Sequence, residues 1–209
     1  MKYGSWTLGN IEALINRIGE ENARQLLDCK VTVDFTDGDA VVKGKKPTRK
    51  SRNFLSAGQA LTLPGCDMLS SSRQFFAARE GLMIGDGARA RVQSVKTVES
   101  LIEIKIKYFD LVRLANDWKI MSELPPDHAF TEEELWPHLQ GMLERQWDGK
   151  NGPLITNDYA NIFYVRDQSG EVFSVHADWV ADRRKWDVDA YRLGDDRWGK
   201  GSRVFSRNC

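Results

Sequence analysis

The chain has 209 residues, of which 41% are hydrophobic and 29% are charged. This composition is typical of a globular protein and excludes a disordered or fibrous chain. The 30 basic and 30 acidic side chains cancel, so the total charge does not predict a strongly charged partner. The apolar runs are short, as at residues 162–165, whereas a membrane-spanning helix needs about 20 apolar residues.

The cysteines and the first residues of the chain bear on localisation. Cys29, Cys66 and Cys209 are widely spaced and form no CxxC pair, and their odd number favours reduced thiols. Residues 1–6 lack the long apolar segment of a signal peptide. We therefore expect a cytoplasmic protein with no membrane partner.

The first part of the chain, predicted as residues 1–69, combines a helical hairpin with a β-hairpin. Apolar residues at helical spacing predict short helices over residues 7–18 and 20–28. Residues 31–35 alternate apolar and polar side chains and predict a strand, which an Asp-Gly turn connects to a second strand at residues 40–42. This part is predicted either as a separate domain or as one continuous domain with the residues that follow.

Residues 43–52 carry the strongest local charge, with six basic side chains and no acidic one. Gly44 and Pro47 break regular structure, so the run is predicted to form a loop. Such a loop is either simply solvated, or it contacts a nucleic acid or an acidic protein. The second alternative predicts a non-enzymatic binding protein. Its candidate contact residues are Lys43, Lys45, Lys46, Arg49, Lys50 and Arg52.

The remaining residues, 70–209, predict an α+β domain that ends in an antiparallel sheet. Thr131 and Glu134 form a capping-box pattern, which predicts a helix over residues 132–146. Residues 102–108 alternate apolar and charged side chains, which is typical of a strand with one buried face. Because the helix directly precedes the last strands, we expect it to pack on their sheet.

Four strands are predicted at the end of the chain, over residues 161–166, 172–180, 186–193 and 203–206. The first is apolar at consecutive positions, which is typical of a central strand covered on both faces. Turn residues separate the four strands at short intervals, so we expect them to form an antiparallel meander.

An alternative to a binding protein is a small hydrolase or transferase. His128 lies between an extended Pro-Pro segment and a predicted helix, and a loop histidine has a pKa suited to a general base. Its candidate partners are Arg79 and Glu80, which form an adjacent charge pair in a predicted turn. The simpler alternative is that His128 forms a structural hydrogen bond.

The chain contains seven tryptophans. Core packing explains them most simply, because each indole buries a large apolar area. Alternatively, some of them, together with Arg183, Arg184 and Arg192, form a stacking platform for bases or sugars. Exposed aromatic side chains would also suit the interface of a homo-oligomer.

No sequence pattern predicts a metal or another cofactor. His128, His138 and His176 do not stand at metal-ligand spacing. Residues 194–200 spell GxxxxGK, but Gly201 stands where a phosphate-binding loop needs Ser or Thr. We therefore interpret residues 194–200 as a turn.

Short motifs distributed over residues 70–206 resemble an uncharacterised family of bacterial proteins. They are Phe75-Phe76-x-x-Arg79-Glu80-Gly81-Leu82, Phe109-Asp110-Leu111, Leu124-Pro125-x-x-His128-x-Phe130, Asn161-Ile162-Phe163-Tyr164-Val165 and Arg203-Val204-Phe205-Ser206. The resemblance implies a bacterial, cytoplasmic protein. It implies no activity and no catalytic or ligand-binding residue.

Overall fold

The computed structural model of this chain describes residues 16, 31–36, 39–44, 53–77, 79–194 and 197–207. The chain divides into two compact units, Met1–Arg52 and Asn53–Cys209. Asn16 is helical. The rest of the two helices predicted in the first unit, and residues 45–52 of the basic run, lie outside the described residues.

A β-hairpin is the described element of the first unit. It consists of β1 (Val31–Thr36) and β2 (Asp39–Gly44), which pair antiparallel with Val33 opposite Val42. The two predicted strands are therefore confirmed, while the Asp-Gly residues between them lie outside the described residues.

The described part of the second unit contains short helices and twelve strands. The helices are α1 (Ser72–Phe75), α2 (Asp86–Val92), α3 (Asp117–Met121) and α4 (Glu132–Arg145). The strands are β3 (Gln59–Leu63), β4 (Cys66–Asp67), β5 (Leu82–Ile84), β6 (Ser100–Leu101), β7 (Ile104–Asp110), β8 (Ala115–Asn116), β9 (Phe130–Thr131), β10 (Asn161–Arg166), β11 (Val172–Val180), β12 (Lys185–Arg192), β13 (Arg197–Trp198) and β14 (Arg203–Ser206).

Eight of these strands form one mixed sheet. Seven of them lie in the order β3-β7-β14-β10-β11-β12-β5, and the eighth, β9, pairs with the end of β10 that β14 leaves free. Strands β10, β11 and β12 form the predicted antiparallel meander. The prediction that all four C-terminal strands form one antiparallel meander is wrong, because β14 pairs parallel with β10. Strand β3, which the sequence analysis placed in the N-terminal part, is an edge strand of this sheet.

The chain between β12 and β14 explains the parallel pairing. Strands β12 and β14 run in the same direction, because β14 is parallel to β10, and β10 and β12 are both antiparallel to β11. The chain that connects them, residues 193–202, therefore has to cross the sheet. Within this connection β13 pairs with β8. The end of the connection is bound to Leu111 by two backbone hydrogen bonds, from Leu111 N to Ser202 O (2.7 Å) and from Gly201 N to Leu111 O (2.8 Å). The crossing chain is therefore fixed by non-local partners, which a local turn pattern does not show.

Helix α4 covers one face of the sheet, as predicted. The Thr131 hydroxyl accepts a hydrogen bond from Glu134 N, and the Glu134 carboxylate accepts one from Thr131 N, so the predicted capping box is confirmed. The apolar face of α4 packs in one core with side chains of β10, β11, β12 and β14. The buried helix residues in this core are Leu135, Trp136, Leu139, Met142 and Leu143.

The segment from β8 through α3 covers the opposite face. Ala115, Ile120 and Leu124 pack with Ile162 and Tyr164 of β10 in a second core. Strand β10 is therefore buried on both faces, which confirms its predicted central position.

Two buried amide side chains tie the chain that precedes β10 to the sheet. Gln146 accepts from Leu154 N (3.1 Å) and donates to Leu154 O (2.7 Å). Asn161 does the same with the next residue, because its amide accepts from Ile155 N (2.8 Å) and donates to Ile155 O (2.9 Å). Asn161 also donates to Ala177 O of β11 (2.8 Å). The two amides replace strand pairing where the backbone has none.

Replacing Asn161 by Ala should lower the free energy of unfolding by about 3 kcal/mol, because the buried Ala177 O and the half-buried N and O of Ile155 lose their partner. Urea unfolding followed by tryptophan fluorescence measures this change. Asn157→Ala is the matched control, since Asn157 is exposed and its replacement should cost less than about 0.5 kcal/mol. Equal losses in the two variants would contradict the role of the buried amide.

His138 should make stability fall in acid. Its side chain is buried in α4, and burial lowers its pKa from 6.5 to about 4. Between these values the unfolded chain binds more protons than the folded chain, so stability decreases as the pH falls through this range. The His138→Leu variant should lose about 2 kcal/mol less than the wild type between pH 7.5 and pH 4.5. Urea unfolding at both pH values measures this difference. Equal losses of stability in the wild type and the variant would contradict it.

Candidate functional site

Arg79 and Glu80 line a pocket of about 530 Å³. We call it the basic tryptophan pocket. Its volume lies in the range of ligand-binding clefts. The lining residues are Arg79, Glu80, Gly81, Trp147, Asp148, Trp179, Arg183, Arg184 and Lys185.

His128 lies elsewhere in the fold. Its Nδ1 is 3.0 Å from Pro125 O, and its ring packs edge-on against Tyr164, which belongs to the core on the face opposite α4. Burial lowers the pKa of His128, so the ring is neutral near pH 7 and donates from Nδ1 to the carbonyl. Arg79 instead stacks on Phe75 and Trp147, which pack with the α4 core. The structure therefore does not bring His128 together with Arg79 and Glu80.

Three elements of the second unit form the basic tryptophan pocket. Trp147 follows the end of α4, and residues 79–81 lead into β5. Arg183 and Arg184 lie in the short turn between β11 and β12, whose 3-10 helix spans Ala181–Arg183. Because β5 pairs with the beginning of β12, the sheet brings these segments to one end of the β11–β12 hairpin.

Arg79 is held by two aromatic rings. Its guanidinium carbon lies 4.7 Å from the centroid of Phe75 and 4.5 Å from that of Trp147. A guanidinium stacked in this way loses little freedom on binding and keeps its N–H donors at the ring edge. Within the described residues, no side chain accepts a hydrogen bond from Arg79. It is therefore oriented and available to an acceptor from outside.

Glycines allow the two tryptophans to form the walls of the pocket. Gly81 has a φ of 82°, and a Cβ there would lie 2.6 Å from the Trp147 ring. Gly149 has a φ of 71°, and a Cβ there would lie 2.2 Å from the Trp179 ring. Both positions need glycine for two reasons, the left-handed backbone and the close approach of an indole.

The charge of the pocket is positive. Four of its lining residues are basic and two are acidic. Asp148 pairs with Lys150 at 3.2 Å, and hydrogen bonds from Lys150 lower the pKa of its carboxyl group. Within the part of the chain that the structure describes, Arg79, Arg183, Arg184 and Lys185 form no ion pair. The pocket thus offers unneutralised cations beside indole rings, which suits a ligand that carries both negative charge and planar groups.

A second pocket, of about 630 Å³, has a balanced charge, because its lining contains two arginines, Arg91 and Arg192, and two acids, Glu132 and Asp167. Arg91 lies 3.5 Å above the Phe173 ring and within ion-pair distance of Asp167 (3.3 Å) and Glu132 (3.9 Å). A hydrogen bond from Ser169 lowers the pKa of Asp167, whereas burial raises the pKa of Glu132. Because two acids balance its two arginines and Arg91 is already paired with both of them, this pocket is a weaker candidate for binding an anion.

The other predicted contact residues lie in the first unit. Lys43 belongs to β2, and Lys45, Lys46, Arg49, Lys50 and Arg52 lie outside the described residues. Among the residues that are described, no three His, Cys, Asp or Glu side chains are arranged to hold a metal ion.

Sequence patterns pointed to Arg79, Glu80, Arg183 and Arg184, but no pattern assigned all four to one site. Nothing in the sequence indicates that these side chains meet. The same patterns missed Trp147 and Trp179 as pocket walls. The available signal was the Gly149 that follows Trp147-Asp148, because a glycine after a helix often marks a left-handed residue. No local pattern shows which indole packs on that glycine.

Comparison with known proteins adds no relative, because no family model, curated protein or solved structure matches the chain. No helix within the described ranges is both long and apolar enough to cross a membrane.

Gly81→Ala should disturb the pocket more than a change in backbone conformation alone would. Gly170 is the matched control, since its φ is 89° but nothing lies within 4 Å of an added Cβ. Gly170→Ala should cost about 1 to 2 kcal/mol for the left-handed backbone alone. Gly81→Ala should cost more and should also shift the Trp147 emission. Urea unfolding and fluorescence spectra measure both effects, and equal behaviour of the variants would contradict the proposed packing.

Proposed function

We propose that this protein is a non-enzymatic binding protein that binds single-stranded nucleic acid at the basic tryptophan pocket. The observation that carries the proposal is a set of four basic side chains around Trp147 and Trp179 that form no ion pair with any described residue. Proteins that bind single strands without sequence preference combine these same two elements, cations along the backbone and aromatic rings for the bases.

Each part of the pocket has a role in this proposal. The stacked guanidinium of Arg79 and the side chains of Arg183 and Lys185 bind phosphate oxygens through charge-assisted hydrogen bonds. The half-buried Trp147 offers indole surface to a base, which every base permits through its π face. Trp179 is only 8% exposed and forms the wall behind it. Binding of this kind is independent of sequence and falls steeply with added salt.

The basic run at residues 43–52 is proposed as a second contact for the same polymer. Its six cations and lack of acidic neighbours support this proposal. The run and the pocket lie in different units, so separate variants test the two contacts independently. An acidic protein is the alternative partner for either set of cations.

The double variant Arg183→Gln/Lys185→Gln should bind a fluorescein-labelled mixed-sequence DNA or RNA strand about tenfold more weakly at low salt, because two phosphate contacts are lost. The slope of log K against log salt should also become shallower by about 0.7 per lost contact. Fluorescence anisotropy at several salt concentrations measures both. Arg184 is left unchanged, since its φ of 50° would make the result depend on backbone strain.

Lys96→Gln/Lys105→Gln is the matched control, because both lysines are exposed outside the pocket and the change in net charge is the same. It should reduce affinity less than about twofold. A parallel variant with Lys45, Lys46, Arg49 and Lys50 changed to Gln tests the basic run. Absence of binding by the wild type at low salt, or equal losses in the pocket and control variants, would contradict the proposed site.

A further inference from the structure

Strand β12 connects two pockets, since it begins at Lys185 in the basic tryptophan pocket and ends at Arg192 in another pocket of about 390 Å³. We call the latter the Trp198 pocket. Its size is sufficient for a small organic ligand. Its lining residues are Asp117, Ser174, Tyr191, Arg192, Gly194, Arg197 and Trp198.

Asp117 holds the Trp198 pocket in shape. Its carboxylate accepts from Trp198 Nε1 (2.7 Å), Tyr164 OH (3.0 Å) and Gly194 N (3.1 Å), and the residue is 3% exposed. Both carboxylate oxygens are therefore occupied, and the indole of Trp198 is fixed at the pocket wall. A charged hydrogen bond of this kind is shorter and stronger than a neutral one, so the wall is formed before any ligand arrives.

Two aromatic rings of the pocket rest on one buried histidine. The His176 ring is stacked on Tyr191 at 5.2 Å with an angle of 14° between the planes, and its centroid lies 5.7 Å from that of Trp198. His176 is buried, whereas Tyr191 is 51% exposed. The phenol and the indole thus present fixed apolar surface to a planar ring.

The mouth of the pocket carries the positive charge. Arg192 and Arg197 are both exposed, and neither forms an ion pair with any residue that the structure describes. Arg91, which lines the neighbouring pocket together with Tyr191 and Arg192, is instead neutralised by two acids. The buried Asp117 disfavours an anion at the floor, so the negative group of a ligand belongs at the two arginines and its ring belongs inside.

From this arrangement we infer that the Trp198 pocket binds a small planar aromatic anion. The ring packs against Trp198 and Tyr191, and a carboxylate or phosphate at the mouth accepts hydrogen bonds from Arg192 and Arg197. An aromatic carboxylate and a mononucleotide share this chemistry. The inference does not rest on nucleic-acid binding at the basic tryptophan pocket, because the two pockets have only the strand β12 in common.

Isothermal titration calorimetry with four probes tests the inference. The probes are indole-3-carboxylate, adenosine monophosphate, adenosine and inorganic phosphate. At least one of the two aromatic anions should bind, about tenfold or more tightly than adenosine and phosphate, since only the anions use both the rings and the arginines. Comparing the affinities of the two aromatic anions shows whether the pocket prefers a carboxylate ligand or a nucleotide.

Arg192→Gln/Arg197→Gln should weaken the aromatic anion about tenfold and leave the weak binding of adenosine unchanged. Lys96→Gln/Lys105→Gln is the matched control, because it removes the same charge outside both pockets and should leave the titration unchanged. Since all four side chains are at least partly accessible, the variants should keep the thermal unfolding midpoint of the wild type.

Three results would overturn the inference. One is that neither aromatic anion produces heat, and another is that both double variants weaken binding equally. The third concerns Asp195 and Asp196, which lie outside the described residues and precede Arg197 in the chain. If binding appeared only in Asp195→Asn/Asp196→Asn, the arginines would be neutralised by their own loop in the native protein.

Discussion

The pairing of two buried amide side chains with the backbone of Leu154 and Ile155 is the constraint on which the sheet depends. Strand β10 is covered on both faces and paired along both edges, so the chain that leads into it has no free strand to pair with. A buried backbone group without a partner costs about 1 to 3 kcal/mol. Gln146 and Asn161 remove this cost, and they also fix the end of α4 relative to the beginning of β10.

The covering of the sheet on both faces limits where a ligand could bind. Because the middle of the sheet is closed by α4 on one face and by the α3 segment on the other, polar side chains reach the surface at the ends of the β11–β12 hairpin. Arg203 and Arg207, nearer the centre, are neutralised by Asp110 and Glu134. The cations at the two ends of β12 form no ion pair within the described residues. A chain with zero net charge therefore still has a non-uniform distribution of charge.

Sequence patterns correctly predicted the features that depend on residues close together in the chain. The capping box of Thr131 and the buried strand that begins at Asn161 were both correct, because each depends on side chains a few positions apart. The parallel insertion of β14 was not predictable, since its partners in β7 and β10 are distant in sequence. Asp117 was likewise not predictable as the residue that fixes Trp198, because its three donors lie in β10 and in the connection after β12, both distant from it in sequence.

The position of β14 has a consequence for the order in which the sheet can be completed. Strands β3 and β7 pair only with each other and with β14, while β9, β10, β11, β12 and β5 form a second paired set. Of the eight strands, β14 is the last to leave the ribosome, yet it is the one that joins the two sets. Until residue 206 has emerged, no strand can join the two sets, and the parts of the β7 and β10 edges that pair with β14 have no partner.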